Sequence, residues 1–165
     1  MKLAADSIHI EPLRAHHDRS SFGCGNESLD RYLREQSTQD IRRALARLFV
    51  AVPADAPNQI LGFFTLNATA VVAADLPPEI AKKLPRYPIP AALIGRLAVD
   101  RACARRGLGS ILLMDAIEKA RVASETVAIT VIVVDDAAHA FYSAFGFRKL
   151  QGPQRRMFLT LTQKG

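Results

Sequence analysis

The stretch LAVDRACARRGLGSILL, Leu97–Leu113, decides the fold. It is the end of an apolar strand, AALIGRLAVD (91–100), followed by a basic, glycine-containing turn, RACARRGLG (101–109), and the beginning of a helix predicted from about Gly109 to Ser124. Leu112, Leu113, Ala116, Ile117 and Ala120 share one side of that helix, as a helix packed on a sheet requires. The first backbone N–H groups of a helix have no acceptor within it, and the helix dipole places partial positive charge there. A turn that delivers glycines to such an end makes a cradle for a pyrophosphate. Gly107 and Gly109 let the backbone approach, Leu108 and Ser110 complete the run of amides, and Arg105 and Arg106 add charge. The glycine pair alone equally suits a tight strand-to-helix turn. Other nucleotide motifs fit less well, because the chain has no GxGxxG and no Lys-Ser or Lys-Thr closing a P-loop.

Outward from this unit the chain alternates between strand and helix patterns. Residues 7–13 alternate apolar and polar through Ile8, Ile10 and Leu13, predicting an edge strand. After FGCGN, Asn26 reads as an N-cap with Glu27 in the first turn. Leu29, Tyr32 and Leu33 then share a helical face that Ile41 and Leu45 extend, with Arg31, Arg34, Arg42, Arg43 and Arg47 on the remaining surface. RLFVAVP (47–53) and ILGFFTLNATAVV (60–72) are β-branched and aromatic runs joined as a hairpin. ADLPPEIAKKLPRYPIP (74–90) holds five prolines in seventeen residues, so it predicts an exposed loop with at most one helical turn around Glu79–Leu84. TVAITVIVVDD (126–136) is the most strand-like run, AHAFYSAFG (138–146) reads as a helix ended by Gly146, and FRKL (147–150) and MFLTLT (157–162) form the last strands. The order β, α, β, β, β, α, β, α, β predicts an α/β protein with a mixed sheet.

With 165 residues the chain suits one domain, 1–165, and a composition of 49% hydrophobic and 23% charged residues suits a folded globular protein. No run approaches the roughly 18 apolar residues of a membrane helix, and MKLAADSIHIEPLR is too polar for a signal peptide, which predicts a cytoplasmic protein with no membrane partner. Cys24 and Cys103 lack the partners of a disulfide framework or a zinc site, so they read as packing residues and no metal is expected. The net charge of +6 is unevenly placed. Lys82, Lys83, Arg86, Arg96, Arg101, Arg105 and Arg106 share their stretch with one acid, Asp100, and Arg148, Lys149, Arg155, Arg156 and Lys164 follow position 137 with none. Such tracts fit a polyanion, whether phosphorylated cofactor or nucleic acid, and also a merely solvated face.

DDAAHAFYSAFGF (135–147) adds an aromatic pair, Phe141 and Tyr142, on a short helix after the second central strand. A tyrosine there is a core residue with its hydroxyl bonded or, beside a cofactor cradle, a candidate acid. Taken together, LAVD, RRGLG, the helix and AFYSAFGF, in that order over residues 93–147, resemble the acetyl-CoA motif and following segment of the GNAT superfamily of N-acetyltransferases. One position departs: the family pattern has Arg or Gln where this chain has Ala104, which leaves the backbone amides, with Arg105 and Arg106, to hold the cofactor. FGCGNESLDRYLREQSTQD (22–40), FFTLNATAV (63–71) and ADLPPEIAKKLPRYPIPAALIGRLAVD (74–100) further resemble the TacT-like acetyltransferase toxins of bacterial toxin–antitoxin modules.

The resemblance implies a GNAT fold, a mixed and mostly antiparallel central sheet with flanking helices and a central β-turn-α acetyl-CoA unit. It implies acetylation of the free α-amine of aminoacyl-tRNA, arrest of translation, neutralisation by a ribbon-helix-helix antitoxin, and a homodimer. The amine would attack the thioester directly in a ternary complex. The strand residues Leu97, Ala98 and Val99 would hold the pantetheine arm and polarise the carbonyl through their backbone, and Tyr142 would protonate the departing thiolate as a phenol near its ordinary pKa of ~10. No carboxylate is placed as a base; an α-amine with pKa near ~8 is already partly neutral at pH 7. Lys82, Lys83, Arg86, Arg96, Arg42, Arg43 and Arg47 are the cations expected to meet RNA phosphates. Arg96 stands out, since a charge inside an apolar strand either faces a cleft or is paired. The alternatives are a GNAT enzyme acting on another primary amine, such as a protein N-terminus, polyamine or small molecule, and a non-catalytic module of the same fold.

Overall fold

The computed structural model describes residues 3–161. Thr162 of the last expected strand and the basic Lys164 lie outside them. Seven strands form one mixed sheet: β1 (Ile8–Pro12), β2 (Arg47–Pro53), β3 (Gly62–Val71), β4 (Ile89–Val99), β5 (Val131–Asp135), β6 (Arg148–Lys149) and β7 (Arg156–Thr160), in the order β1-β2-β3-β4-β5-β7-β6. The β4–β5 pair is parallel, from Ala91 opposite Val131 to Ile94 opposite Val134. The pairs β1–β2, β2–β3, β5–β7 and β6–β7 are antiparallel. The helices are α1 (Glu27–Arg31), α2 (Ser37–Arg42), α3 (Pro78–Ala81), α4 (Leu108–Ala123) and α5 (His139–Ser143). Among the described residues no helix is long and apolar enough to cross a membrane.

The element order follows the sequence pattern, and the ends differ for local reasons. Asn26 caps α1, its side chain accepting from the N–H groups of Ser28 and Leu29. The helix then widens into a π turn over Tyr32–Gln36 before α2, and it stops at Arg42. Leu45, expected to extend the apolar face, lies past that end and is exposed, because Ala44 takes a positive φ of 57° and turns the chain away. The β5 run is also shorter than expected, starting at Val131.

By their contacts the residues divide into two compact units, Met1–Asn67 with Arg96–Ala116, and Ala68–Gly95 with Ile117–Gly165. The first has a core of Phe22, Tyr32, Leu33, Leu48, Val50, Val52, Ile60, Phe63 and Ala98. The second has Val71, Ala73, Leu76, Ile89, Ala91, Val131, Val133 and Phe158.

In the first unit the two faces of β3 have different partners. Phe63 packs in the cluster of Tyr32 and Leu33. Gly62, one residue earlier and so on the other face, lies under α4: a Cβ there would come within 2.9 Å of both Leu112 Cδ1 and the Ala98 carbonyl oxygen. Gly62→Ala should therefore destabilise the protein by about 1–3 kcal/mol, as overpacking against an immobile backbone does. Urea unfolding of the variant and wild type measures it.

Candidate active site

The turn ahead of α4 is built from strained backbone. Asp100 ends β4, and its carboxylate accepts from the N–H of Ala102 at 2.9 Å and of Gly23 at 3.1 Å. The Asp100 N–H goes to the Leu61 carbonyl and the Arg101 N–H to the Gly23 carbonyl, so the strand end is fixed from both sides. Arg101–Cys103 form one 3-10 turn, after which Arg105 and Gly107 both take left-handed conformations, φ 63° and 85°. For Arg105 this is uncommon and costs free energy; for Gly107 it needs the absence of a side chain. Alternating hands of this kind turn successive N–H groups to one side, the concavity that binds anions. The helix begins at Leu108, whose side chain is buried, while Arg105 and Gly107 are exposed and Arg106, Gly109 and Ser110 half-buried. The expected pyrophosphate residues thus form one continuous surface turn. Ala104, where the family motif has a longer side chain, is exposed at the start of it.

Leu97, Ala98 and Val99 occupy the C-terminal end of β4. The register with β5 covers Ala91–Ile94, four of the strand's eleven residues, and Leu97–Val99 lie beyond it. A strand end outside the paired register is where backbone groups remain for a ligand.

Tyr142 lies on α5, 9% exposed, with its ring edge-on to Phe141 and tilted against Phe147 at centroid distances of 5.2 and 5.5 Å. The Phe147 N–H closes the turn onto the Tyr142 carbonyl, and Gly146, φ 92°, makes that reversal. Among the described residues the Tyr142 hydroxyl has no hydrogen-bond partner. Its pKa is pushed up to about 12, first by burial and then by the Asp135 carboxylate. This corrects the expectation of a phenol near its ordinary value: Tyr142 holds its proton more tightly than a tyrosine in water.

The basic residues separate into paired and unpaired. Arg31 and Arg34 both reach Glu27, Arg148 lies 2.7 Å from Glu79, and Arg155 is 3.5 Å from Asp136. Arg47 donates to the Ile41 carbonyl. Arg42, Arg43, Lys82, Lys83 and Arg86 are exposed. Arg96 is half-buried, its Cζ 3.5 Å from the centroid of the Tyr32 ring. The sequence reading missed Tyr32 as anything but a core residue. It also missed Asp100 as the fixing carboxylate, although an acid alone among seven cations was a signal.

Two other groups invite chemistry and do not supply it. Burial raises the pKa of Cys24 and Cys103 alike, which removes thiolate reactivity at neutral pH. Glu11, His16 and His17 offer ligand atoms within 4.8 Å of one another. His17, however, accepts the Arg14 N–H at Nδ1 and sits 2.9 Å from Glu11 through Nε2. With Nδ1 accepting, the neutral ring's proton is on Nε2 and is given to Glu11, so neither nitrogen has a lone pair for an ion.

Residues 10–147 match the acetyltransferase (GNAT) family. The chain belongs to that family. The GNAT fold, with its mixed sheet and flanking helices, is the one observed, and the family's donor is acetyl-CoA. A protein of Mycobacterium tuberculosis (strain ATCC 25618 / H37Rv) named tRNA-acetylating toxin is 38% identical over 133 residues, which cover 79% of this chain and 78% of that protein. The solved structure of AtaT complexed with acetyl-methionyl-tRNAfMet superposes with a TM-score of 0.86 at 31% identity, over 93% of this chain and 94% of AtaT. A tyrosine-to-phenylalanine mutant of the AtaT toxin, bound to the C-terminus of the antitoxin AtaR and acetyl-CoA, gives a TM-score of 0.79 at 27% identity, over 94% of each chain.

The GNAT donor fits the residues present: left-handed Arg105 and exposed, left-handed Gly107 open the turn to an approaching diphosphate. Replacing Gly107 with Val forces a β-branched side chain into φ 85° at an exposed point of the turn. Calorimetry should then show acetyl-CoA affinity reduced about tenfold or more, one to two lost hydrogen bonds to charge.

Proposed function

We propose that this GNAT acetyltransferase transfers the acetyl group of acetyl-CoA to the α-amine of aminoacyl-tRNA and so acts as a toxin that stops translation. The observation that carries the reading is the likeness, over more than nine-tenths of both chains, to AtaT in complex with acetyl-methionyl-tRNAfMet. The identity to the tRNA-acetylating toxin supports it independently. By the same reading the two units make one catalytic domain, 1–165, in a homodimer, in the cytoplasm. A small antitoxin of the ribbon-helix-helix class neutralises it, as the AtaT–AtaR complex supports for an antitoxin in general.

Acetyl-CoA supplies a thioester, whose carbonyl carbon is the electrophile. In this reading the 105–110 turn binds its diphosphate through the amides, with Arg105 and Arg106 adding charge. Leu97, Ala98 and Val99 orient the arm along the strand end and donate to the carbonyl oxygen. The amine nitrogen forms its bond to carbon as the C–S bond breaks; Tyr142 gives its phenolic proton to the leaving sulfur, the proton lost by the amine passes to water, and water returns a proton to the tyrosinate. The hydroxyl of Tyr142, without a hydrogen-bond partner among the described residues, supports that role.

The test is transfer from labelled acetyl-CoA to total charged tRNA, followed by identification of the acetylated amino acid. Tyr142→Phe should keep acetyl-CoA binding and lose ~10²-fold or more in kcat. Because the pKa of Tyr142 is raised, its proton stays on to higher pH and any alkaline limb moves up: kcat should hold through about pH 10 and not fall there. A fall centred near 10 assigns the acid to another group. Transfer to some other amine with none to charged tRNA would leave only the family activity.

Exposed Lys82, Lys83 and Arg86 are assigned to RNA phosphates, with Arg42, Arg43 and Arg47 as the second cationic group. Mutating Lys82, Lys83 and Arg86 together to Ala should flatten the logarithmic salt dependence of tRNA affinity by about 2, roughly 0.7 per lost contact. An unchanged slope in filter-binding titrations moves the contact to the second group.

A further inference from the structure

Arg96 and Tyr32 form a stacked pair that acetyl transfer, as derived above, does not use. Arg96 is half-buried, yet among the described residues its N–H groups have no hydrogen-bond or ion-pair partner. Asp40, an acid of the same cavity, is engaged otherwise: Oδ2 accepts from the Tyr32 hydroxyl at 2.9 Å and Oδ1 from Gln36 Nε2 at 3.2 Å. A half-buried cation without a carboxylate is costly unless something else meets it. The π turn at Tyr32–Gln36 makes the arrangement, carrying Tyr32, Gln36 and Asp40 to one side of the helix, and such turns concentrate at functional sites. Between this helix and Arg96 lies a cavity of about 360 Å³, within the size range of small-ligand sites. Its lining is polar apart from the Tyr32 ring, with Ser28, Glu35 and Gln36 at hand.

The cavity also lies on a particular face. Ala98 packs in the cluster of Tyr32 and Phe63, so Arg96, two residues earlier on β4, shares that face. The helix α4, whose start forms the donor turn, covers the opposite face at Gly62. The cavity is thus on the face of β4 away from α4, where an acceptor would reach Leu97–Val99 without crossing the turn ahead of that helix.

We propose that Arg96, held over the Tyr32 ring, is the stacking platform for the unpaired 3′-terminal adenine of charged tRNA. The proposal rests on the tRNA reading above and names the subsite within it. Every charged tRNA ends in that adenosine with the amino acid on its ribose, so a platform beside Leu97–Val99 places the α-amine near the transfer point. Single-stranded ends are held by stacking on aromatic rings and on guanidinium planes. Arg96 has its Cζ 3.5 Å from the centroid of the Tyr32 ring and also lines the cavity, where a base can stack against it. Gln36, Ser28 and the acids offer hydrogen bonds to the edge of the base. An aliphatic amino-acid side chain would gain little from such a lining.

The test uses tRNA carrying 2-aminopurine, whose fluorescence falls on stacking, at either the 3′-terminal or the neighbouring unpaired position. Wild type should quench the terminal probe at least twofold more than its neighbour. Arg96→Lys keeps the charge and removes the plane: it should lose the terminal quench and raise KM for charged tRNA about tenfold, near the low end of one base stack. Tyr32→Phe, which keeps the ring and removes the Asp40 bond, should retain the quench. Thermal melting identifies any variant that fails to fold, and the wild-type comparison of two probe positions needs no variant. Equal quenching at both positions, or a full terminal quench in folded Arg96→Lys, overturns the platform while acetylation of charged tRNA stands. If wild type acetylates no charged tRNA, the functional reading fails and the platform with it.

Discussion

The carboxylate of Asp100 is the interaction on which the first unit's arrangement depends. One side chain at the end of β4 accepts from the turn that follows it, at Ala102, and from a segment seventy-seven residues earlier, at Gly23. Its backbone N–H closes onto Leu61 at the head of β3. The turn ahead of α4 and the loop that leads into α1 are therefore referenced to the same atom group. Remove it and two backbone N–H groups lose their acceptor, at a cost of about 1–3 kcal/mol for each that stays buried. The larger consequence is geometric, because the strained sequence Arg105–Gly107 keeps its conformation only if both its ends are fixed.

That dependence explains why the central unit was legible in the sequence and its surroundings less so. The β-turn-α unit is local: an apolar run, a glycine at 107 where φ is positive, and a helix whose apolar residues recur at 3.6. Each element there is decided by residues within a few positions, and the observed helix start differs from expectation by one residue. The helix Glu27–Arg42 shows the opposite case. Its N-cap was legible because a cap is local, but nothing in YLREQ distinguishes a π turn from an α turn. What selects the wider turn is tertiary: Tyr32 must bury its ring under Arg96 and still give its hydroxyl to Asp40. Arg96 itself was marked by its place in an apolar strand, while its partner was not, since Tyr32 carries the same periodic signal as the leucine beside it.

The charge pattern shows a similar limit. Counting cations along the chain located two basic tracts, yet folding pairs Arg148 with Glu79 and Arg155 with Asp136, from acids outside the tract that holds these arginines. The C-terminal tract is thus partly neutralised, whereas Lys82, Lys83 and Arg86 remain in a loop held open by prolines. The distinction decides which tract has free charge to offer a polyanion, and it is invisible in any count.

The acidity of Tyr142 bears on how the reaction divides its protons. A phenol with its pKa near 12 will not release its proton to bulk solvent at neutral pH, and an approaching thiolate raises that pKa further through like charge. In the proposed role the transfer would therefore be favourable only as the sulfur takes on charge next to the hydroxyl, late in C–S cleavage. Before that moment the hydroxyl would act as a hydrogen-bond donor to sulfur, a stabilisation that strengthens as the charge develops. On the acceptor side an α-amine ester needs no strong base, because it is already partly neutral at pH 7. Under that reading a weakly basic amine reacts without a base, whereas an aliphatic amine such as a lysine side chain, with a pKa of ~10.4, would first have to give its proton to one.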